Sequence, residues 1–358
     1  MTETDFLAML RTLPLHLGAH GLADDTARLG DLVLTTDTMV EGVHYLSTDP
    51  AADVAWKLVA VSLSDLAAKG ATPEGVLLNY PLVCSPAKAG AQAQPISRAA
   101  ARSTLSVETG PRPSPGNDRG EKWDMAFLAG LGQTLTHFTC SLLGGDTVSL
   151  PAGAPRVITL TAIGRAAATP LRTGAQIGDA LYVTGTIGDG GAGLRIARGE
   201  EGPAELLVAY RRPQPRLAEG RALAPLVHAM MDVSDGLLID AARMAAASGV
   251  GVAIDLAEVP LSAAYRAFAS EDRTARIEAV TAGDDYQLLF AASPDLALPV
   301  AATRVGTFRA PAKAGALGPN RIARDPALLP SQEHGLLILT DGDTLLPLPE
   351  RLGFAHGD

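Results

Sequence analysis

The chain has 358 residues, 47% of them hydrophobic, a formal net charge of −10 and two cysteines, enough apolar material for a large core and more in keeping with two domains than one. No apolar run approaches the roughly 18 residues of a membrane span, and the acidic start Met1-Thr2-Glu3-Thr4-Asp5 lacks the basic region of a secretory signal, so a cytoplasmic protein with Cys84 and Cys140 as free thiols is expected. The negative charge argues against a nucleic-acid surface, which would rest on Lys and Arg, and any phosphate ligand would need metal ions to bridge it.

Phe6 to Leu17 is patterned as a short amphipathic helix, followed by a loop from Gly18 to Arg28 that carries Asp24 and Asp25. Asp31 to Tyr45 is rich in Val, Thr and Leu and reads as a strand, with Asp37 on it and His44 near its exit. Val54 to Lys69 reads as a helix stopped by Gly70. Inside it Ser62 and Asp65 share an otherwise apolar face, and a buried carboxylate must find a cation or donors. A ligand-holding role and a structural cap or salt bridge both remain open there. Glu74 to Leu82 is the next strand. Ser85 to Lys122, dominated by Ala, Gln, Pro, Arg, Ser and Gly, breaks the pattern and reads as an insertion, expected to be mobile. Regular structure resumes with a helix over Trp123 to His137, a strand over Thr139 to Leu143 that delivers Gly144-Gly145-Asp146, and a strand over Arg156 to Gly164. Residues 1–164 are expected to form one domain and residues 165–358 a second.

In the second half Asp179 to Ile187 reads as a strand, and Gly188-Asp189-Gly190-Gly191-Ala192-Gly193 formally matches a dinucleotide fingerprint. The acidic strand end that such a site needs further on is replaced by Pro203 and Pro213-Gln214-Pro215, so a tight strand-to-helix turn is the better reading. Met230 to Val233 reads as a strand end leading through Ser234-Asp235-Gly236 into a helix over Leu237 to Ser248, closed by Gly249. That helix N-terminus is a natural phosphate site. Val250 to Leu256 is a strand, Ser262 to Glu271 a helix, and Ala279 to Phe290 a loop with Asp284-Asp285 entering another strand. The alternation predicts an α/β or α+β protein.

Five aspartate-centred segments recur: Ala23-Asp24-Asp25, Thr35-Thr36-Asp37-Thr38, Ser64-Asp65-Leu66, Gly144-Gly145-Asp146-Thr147 and Asp232-Val233-Ser234-Asp235-Gly236. Carboxylates beside glycine turns can hold hard cations against a phosphate, which suits phosphoryl transfer, a chemistry of positioning and charge neutralisation. Neither a GxxxxGK[ST] loop nor an HRD-type catalytic loop is present, so neither common kinase architecture is available.

The motifs GLADDTA, TTDTMVEGVHY, KLVAVSLSDLAAKGA, LLGGDTVS, RTGAQIGDALYVTGTIG, RRPQPRL, DVSDGLLID and AGDDYQLLF occur in the order and approximate spacing of the thiamine-monophosphate kinase family, which the chain resembles over nearly its whole length outside Ser85 to Lys122. The resemblance implies a two-domain fold like that of aminoimidazole ribonucleotide synthetase, with an N-terminal sheet that pairs with its twin in a homodimer. It implies transfer of the γ-phosphoryl group of ATP to thiamine monophosphate, giving thiamine diphosphate. Asp24, Thr35, Thr36, Asp37, Asp65, Asp146, Asp232 and Asp235 would surround several Mg²⁺ ions, with Asp25 behind them. Gly145, Asp146, Arg172 and Ser234 would touch ATP, while His44, Asp284 and Phe354 would meet thiamine monophosphate. Three features depart from the family pattern: Ala23 in place of a glycine, Asp284 and Gln287 in place of glutamates, and the insertion itself. Related synthetases of the same fold and a regulatory nucleotide-binding protein without catalysis are the rival functions.

Overall fold

The computed structural model describes residues 3–83, 118–151, 153–311 and 336–354. The first half comprises α1 (Glu3–Leu10), a 3-10 segment (Leu17–Leu22), β1 (Ala27–Leu29), β2 (Leu32–Val40), α2 (Ala51–Ala68), β3 (Thr72–Val83), α3 (Asp118–His137), β4 (Ser141–Leu150) and β5 (Val157–Arg165). Its sheet runs β1-β2-β5-β3-β4, with β3 and β4 parallel and the other neighbours antiparallel. Alternation along the strands sends Val33, Met39, Val76, Leu78, Ile158 and Leu160 into a core shared with α2 and α3. Among the described residues the opposite face is uncovered and carries exposed Leu77, Leu143, Val148 and Val157.

The second half comprises β6 (Ala180–Val183), α4 (Asp189–Ala197), α5 (Ala204–Arg211), α6 (Leu217–Leu223), β7 (Ala229–Asp232), α7 (Leu237–Ser248), β8 (Gly251–Asp255), a short 3-10 turn (Leu256–Glu258), α8 (Ala263–Ala269), α9 (Arg273–Ala282), β9 (Leu288–Ala292), β10 (Thr303–Arg309), β11 (Leu337–Asp341) and β12 (Thr344–Leu346). These strands form a mostly antiparallel sheet in the order β12-β11-β8-β10-β6-β9-β7, with one parallel pair between β8 and β11. The larger of its cores lies between this sheet and α7.

Helix α2 joins the halves. Fourteen of its 18 residues are buried, the pattern of a helix enclosed on all sides rather than one lying on a surface. Its early turns pack into the N-terminal core, while Ala67 and Ala68 pack with Leu223, Met230 and Phe290 of the second half. Polar ties follow the same axis: Trp56 Nε1 donates to the Pro213 carbonyl at 2.9 Å, and Arg211 and Arg212 pair with Asp49 and Asp53 at 2.9 and 2.5 Å.

Several sequence expectations need correction. The first helix ends at Leu10, short of Pro14, and α3 begins at Asp118, so residues 118–122 belong to it and not to the insertion. The rest of the insertion lies outside the described residues. The strand expected to stop before Gly144 continues through Gly144, Gly145 and Asp146 to Leu150. Helices α5 and α6 were not expected, and α9 occupies the start of what reads as a loop from Ala279.

Candidate active site

A buried acidic cluster forms where the loop before β1, strand β2, helix α2 and the end of β7 meet. Asp24 and Asp25 come from the loop, Thr35 and Asp37 from the inner face of β2, Asp65 from α2 and Asp232 from the last position of β7. Thr35 Oγ1 donates to Asp65 Oδ2 at 2.5 Å. Burial and neighbouring charge act on these carboxylates together. Burial raises Asp37 to about 6, with Asp25 adding to the shift. Burial, then the charges of Asp37, Asp232 and Asp25, push Asp65 well above the usual carboxylate range. Burial and Asp25 raise Asp232 to about 8. Each shift has the same physical origin, an anion removed from water beside other anions.

Asp25 behaves in the opposite way. Burial works against its ionisation too, yet the charges of Arg172 and Lys69 outweigh it and hold the carboxyl below its usual range. Lys69 is fully buried and donates to Asp24 Oδ1 at 2.8 Å and Asp25 Oδ2 at 3.4 Å. Arg172 places its guanidinium on Asp25 and its backbone N–H on Asp24 Oδ1 at 2.9 Å.

The turn after β7 is built by Asp240, which the sequence reading passed over. Its Oδ2 accepts the backbone N–H groups of Ser234, Asp235 and Gly236 at 3.1, 3.1 and 3.2 Å. The backbone donors of the Ser234-Asp235-Gly236 turn that precedes α7 are therefore taken by a side chain of that helix. Arg243 bridges Asp240, at 3.0 Å, and Asp235. The Phe354 N–H donates to the Asp235 carbonyl at 2.8 Å, which docks the end of the described chain beside this turn.

A second group of predicted residues gathers around Lys57 of α2, another buried lysine that the sequence reading missed. Its ammonium donates to Asp284 Oδ2 at 2.8 Å and to the His44 carbonyl at 3.2 Å, and lies 4.1 Å from the centre of the Tyr210 ring. Tyr286 Oη donates to Asp284 Oδ1 at 2.9 Å, so both oxygens of the shortened acid arm are held by the chain itself. His44 Nδ1 accepts the Val40 N–H at 3.0 Å.

Three predicted residues stand apart. Thr36 follows the period of two to the outer face of the sheet, where its hydroxyl meets that of Thr161 at 2.9 Å. Asp146 is exposed on β4 and accepts the N–H of Thr147 at 2.8 Å. The register Asp146, Asn79, Thr159, Thr38 puts it on that same outer face. Asp37 lies on the inner face and three strands away, roughly 14 Å at the usual strand spacing. Gly145 serves packing: a Cβ there would fall 1.8 Å from the Leu78 carbonyl oxygen of β3.

The donor set suits a hard divalent cation, since it consists of carboxylate and hydroxyl oxygens and Asp37 Oδ2 is buried without a partner. Among the described residues no three acidic, histidine or cysteine side chains already converge on one point, so the carboxylates would have to turn to share an ion.

The N-terminal domain family of AIR synthase related proteins matches residues 23–110 and 103–166, and the corresponding C-terminal domain family matches residues 176–314. A thiamine-monophosphate kinase of Caulobacter vibrioides is 38% identical over 332 residues, 88% of this chain and 83% of that protein. The thiamine-monophosphate kinase of Escherichia coli K12 is 34% identical over 282 residues, 75% of each chain. The solved structure of AaThiL complexed with AMPPCP and TMP superposes with a TM-score of 0.70 at 26% identity, covering 86% of this chain and 91% of that one.

Proposed function

This chain belongs to the thiamine-monophosphate kinase family, and from that membership we propose that it transfers the γ-phosphoryl group of ATP to thiamine monophosphate at the acidic cluster. The attacking phosphate oxygen forms a bond to the γ-phosphorus, the bond from that phosphorus to the β,γ-bridging oxygen breaks, and ADP departs with the electron pair. A phosphate monoester already carries close to two negative charges near neutral pH, so no general base is needed and none is assigned. What the reaction needs is positioning and neutralisation of charge.

The observation that carries this reading is the group Asp37, Asp65 and Asp232, the first two half-buried and the third buried, raised toward protonation by desolvation and by neighbouring carboxylates, with no lysine or arginine among the described residues paired to them. Mg²⁺ held by these residues would supply the positive charge that the phosphates require. Arg172, already beside the cluster, offers a guanidinium to the nucleotide. His44 and Asp284, tied together through Lys57, would face the thiamine end, with Phe354 at its edge. Residues 1–164 would form the nucleotide and Mg²⁺ domain and residues 165–358 its companion, a division supported by the two separate sheets. A homodimer belongs to the same reading and would cover the bare outer face of the first sheet.

Turnover of thiamine monophosphate with ATP, measured with Mg²⁺ and after exhaustive chelation, tests the proposal. Thiamine diphosphate should form only with the ion present. Full activity after chelation, or nucleotide binding with no turnover at all, would sink it.

A further inference from the structure

Two fixed cations lie inside the acidic cluster, and they serve one side of it only. Lys69 donates to Asp24 Oδ1, to Asp25 Oδ2 and, at 3.2 Å, to the Met230 carbonyl, which uses all three protons of a buried ammonium. Arg172 engages Asp25 Oδ1 and Asp24 Oδ1, and Thr26 Oγ1 lies 3.4 Å from Asp24 Oδ2. Every carboxylate oxygen of Asp24 and Asp25 thus has a donor from the chain.

The other side has none of this charge. Asp37 Oδ2 is buried without a partner. Asp65 meets a neutral hydroxyl from Thr35. The Ser64 hydroxyl leans toward Asp232 but reaches no hydrogen-bond partner. Among the described residues no lysine or arginine pairs with any of these three carboxylates.

We propose that Lys69 is a built-in cation occupying the position of a divalent ion at Asp24 and Asp25, so that the ions accompanying the nucleotide bind through Asp37, Asp65 and Asp232. A divalent ion arriving at Asp24 would have to displace the ammonium from oxygens it already holds. The displaced charge would then sit buried without a carboxylate, which is costly. An ion arriving between Asp37, Asp65 and Asp232 displaces nothing and relieves repulsion among them. Lys69 is in this sense a positioning residue: it fixes half of the cluster before any ion binds and directs the ions to the other half. The inference rests on the reading that the cluster holds Mg²⁺ beside ATP.

Mn²⁺ in place of Mg²⁺ can be counted by electron paramagnetic resonance on the full chain with a non-hydrolysable ATP analogue. Lys69→Met, which removes the charge and keeps much of the length, should bind one more Mn²⁺ per chain than the wild type. Asp24→Asn should bind as many as the wild type. An unchanged count in Lys69→Met, or one ion fewer in Asp24→Asn, overturns the proposal while leaving the kinase reading intact. A wild type that binds no Mn²⁺ removes both. Where Lys69→Met fails to fold, Asp24→Asn decides alone, an unchanged count supporting the proposal and a lost ion refuting it.

Discussion

Asp65 differs from Asp24 and Asp25 in having no cation to lose. Its neighbours are the carboxylates Asp37, Asp232 and Asp25, and its hydrogen bond comes from a hydroxyl, so Asp65→Asn should leave the ligand-free protein as stable as before or more so. Turnover should fall steeply, and the stabilisation by magnesium-ATP should shrink with the loss of affinity. Were Asp65 instead half of a buried ion pair, removing it would cost about 3–5 kcal/mol without any ligand. Melting with and without magnesium-ATP, plus one rate, separates the cases; a large loss of ligand-free stability with near-normal turnover rules out the metal role. Asp285 gives a second test, one of pH. It accepts the Gly188 N–H at 2.8 and 3.0 Å and the Gly190 N–H at 3.2 Å, and burial, opposed by those donors, raises it from 3.8 to about 8. Because the folded-state value is the higher one, the stability it contributes is complete below the ordinary value and is lost as pH rises through about 8. Between those limits the decline should approach 1.4 kcal/mol per pH unit, roughly. Asp285→Asn should flatten that decline in urea unfolding series, and an unchanged slope would assign it to other groups.

Among elements, the contact of α6 with α2 is a tight constraint near the cluster. A Cβ at Gly220 would lie 1.9 Å from the Ala67 carbonyl oxygen, two residues from Lys69. Gly220→Ala would gain up to about 1 kcal/mol in helix propensity, but overpacking against a backbone that cannot turn aside costs about 1–3 kcal/mol or more. The net effect should be destabilisation, read as a lower urea midpoint with an unchanged m-value; a stabilised variant would mean that α6 shifts freely. The same elements show what the sequence could and could not reveal. α2 and α7 were legible because Gly70 and Gly249 end them with positive φ of 62° and 67°. α5 was hidden because Pro203 and Pro213 look like breakers, although Pro203 is the residue from which α5 starts. α9 had a usable signal in Asp272, whose side chain accepts the Ala275 N–H. β4 was misread because Gly-Gly-Asp suggests a turn, whereas Gly145 is there to let β3 come close. At the site, the aspartates stood out as unusual in apolar surroundings. Lys57 and Lys69 did not, since a lysine near a helix end is ordinary and their partners Asp284 and Asp24 lie 227 and 45 positions away.

For the molecule as a whole, the bare face of the first sheet is the feature that a single copy leaves unexplained. Leu77, Leu143, Val148 and Val157 are exposed on it, and among the described residues β4 forms an open edge, an arrangement that favours pairing with a second chain. Light scattering at micromolar concentration should give twice the 36.9 kDa of one chain. Leu143→Lys together with Val148→Lys should return it to the monomer mass, and a wild-type monomer would contradict the expectation. One further consequence follows from α2, which carries Lys57 against Asp284 in its second turn and is capped by Lys69 against Asp24 and Asp25. The two lysines are twelve residues apart, about 18 Å along the helix axis, and the helix acts as a ruler between the acceptor and nucleotide ends. A single inserted residue between them would rotate one ammonium by about 100° and move it about 1.5 Å away from its carboxylates. This stretch of chain should therefore drift by exchange of side chains and resist any change in length.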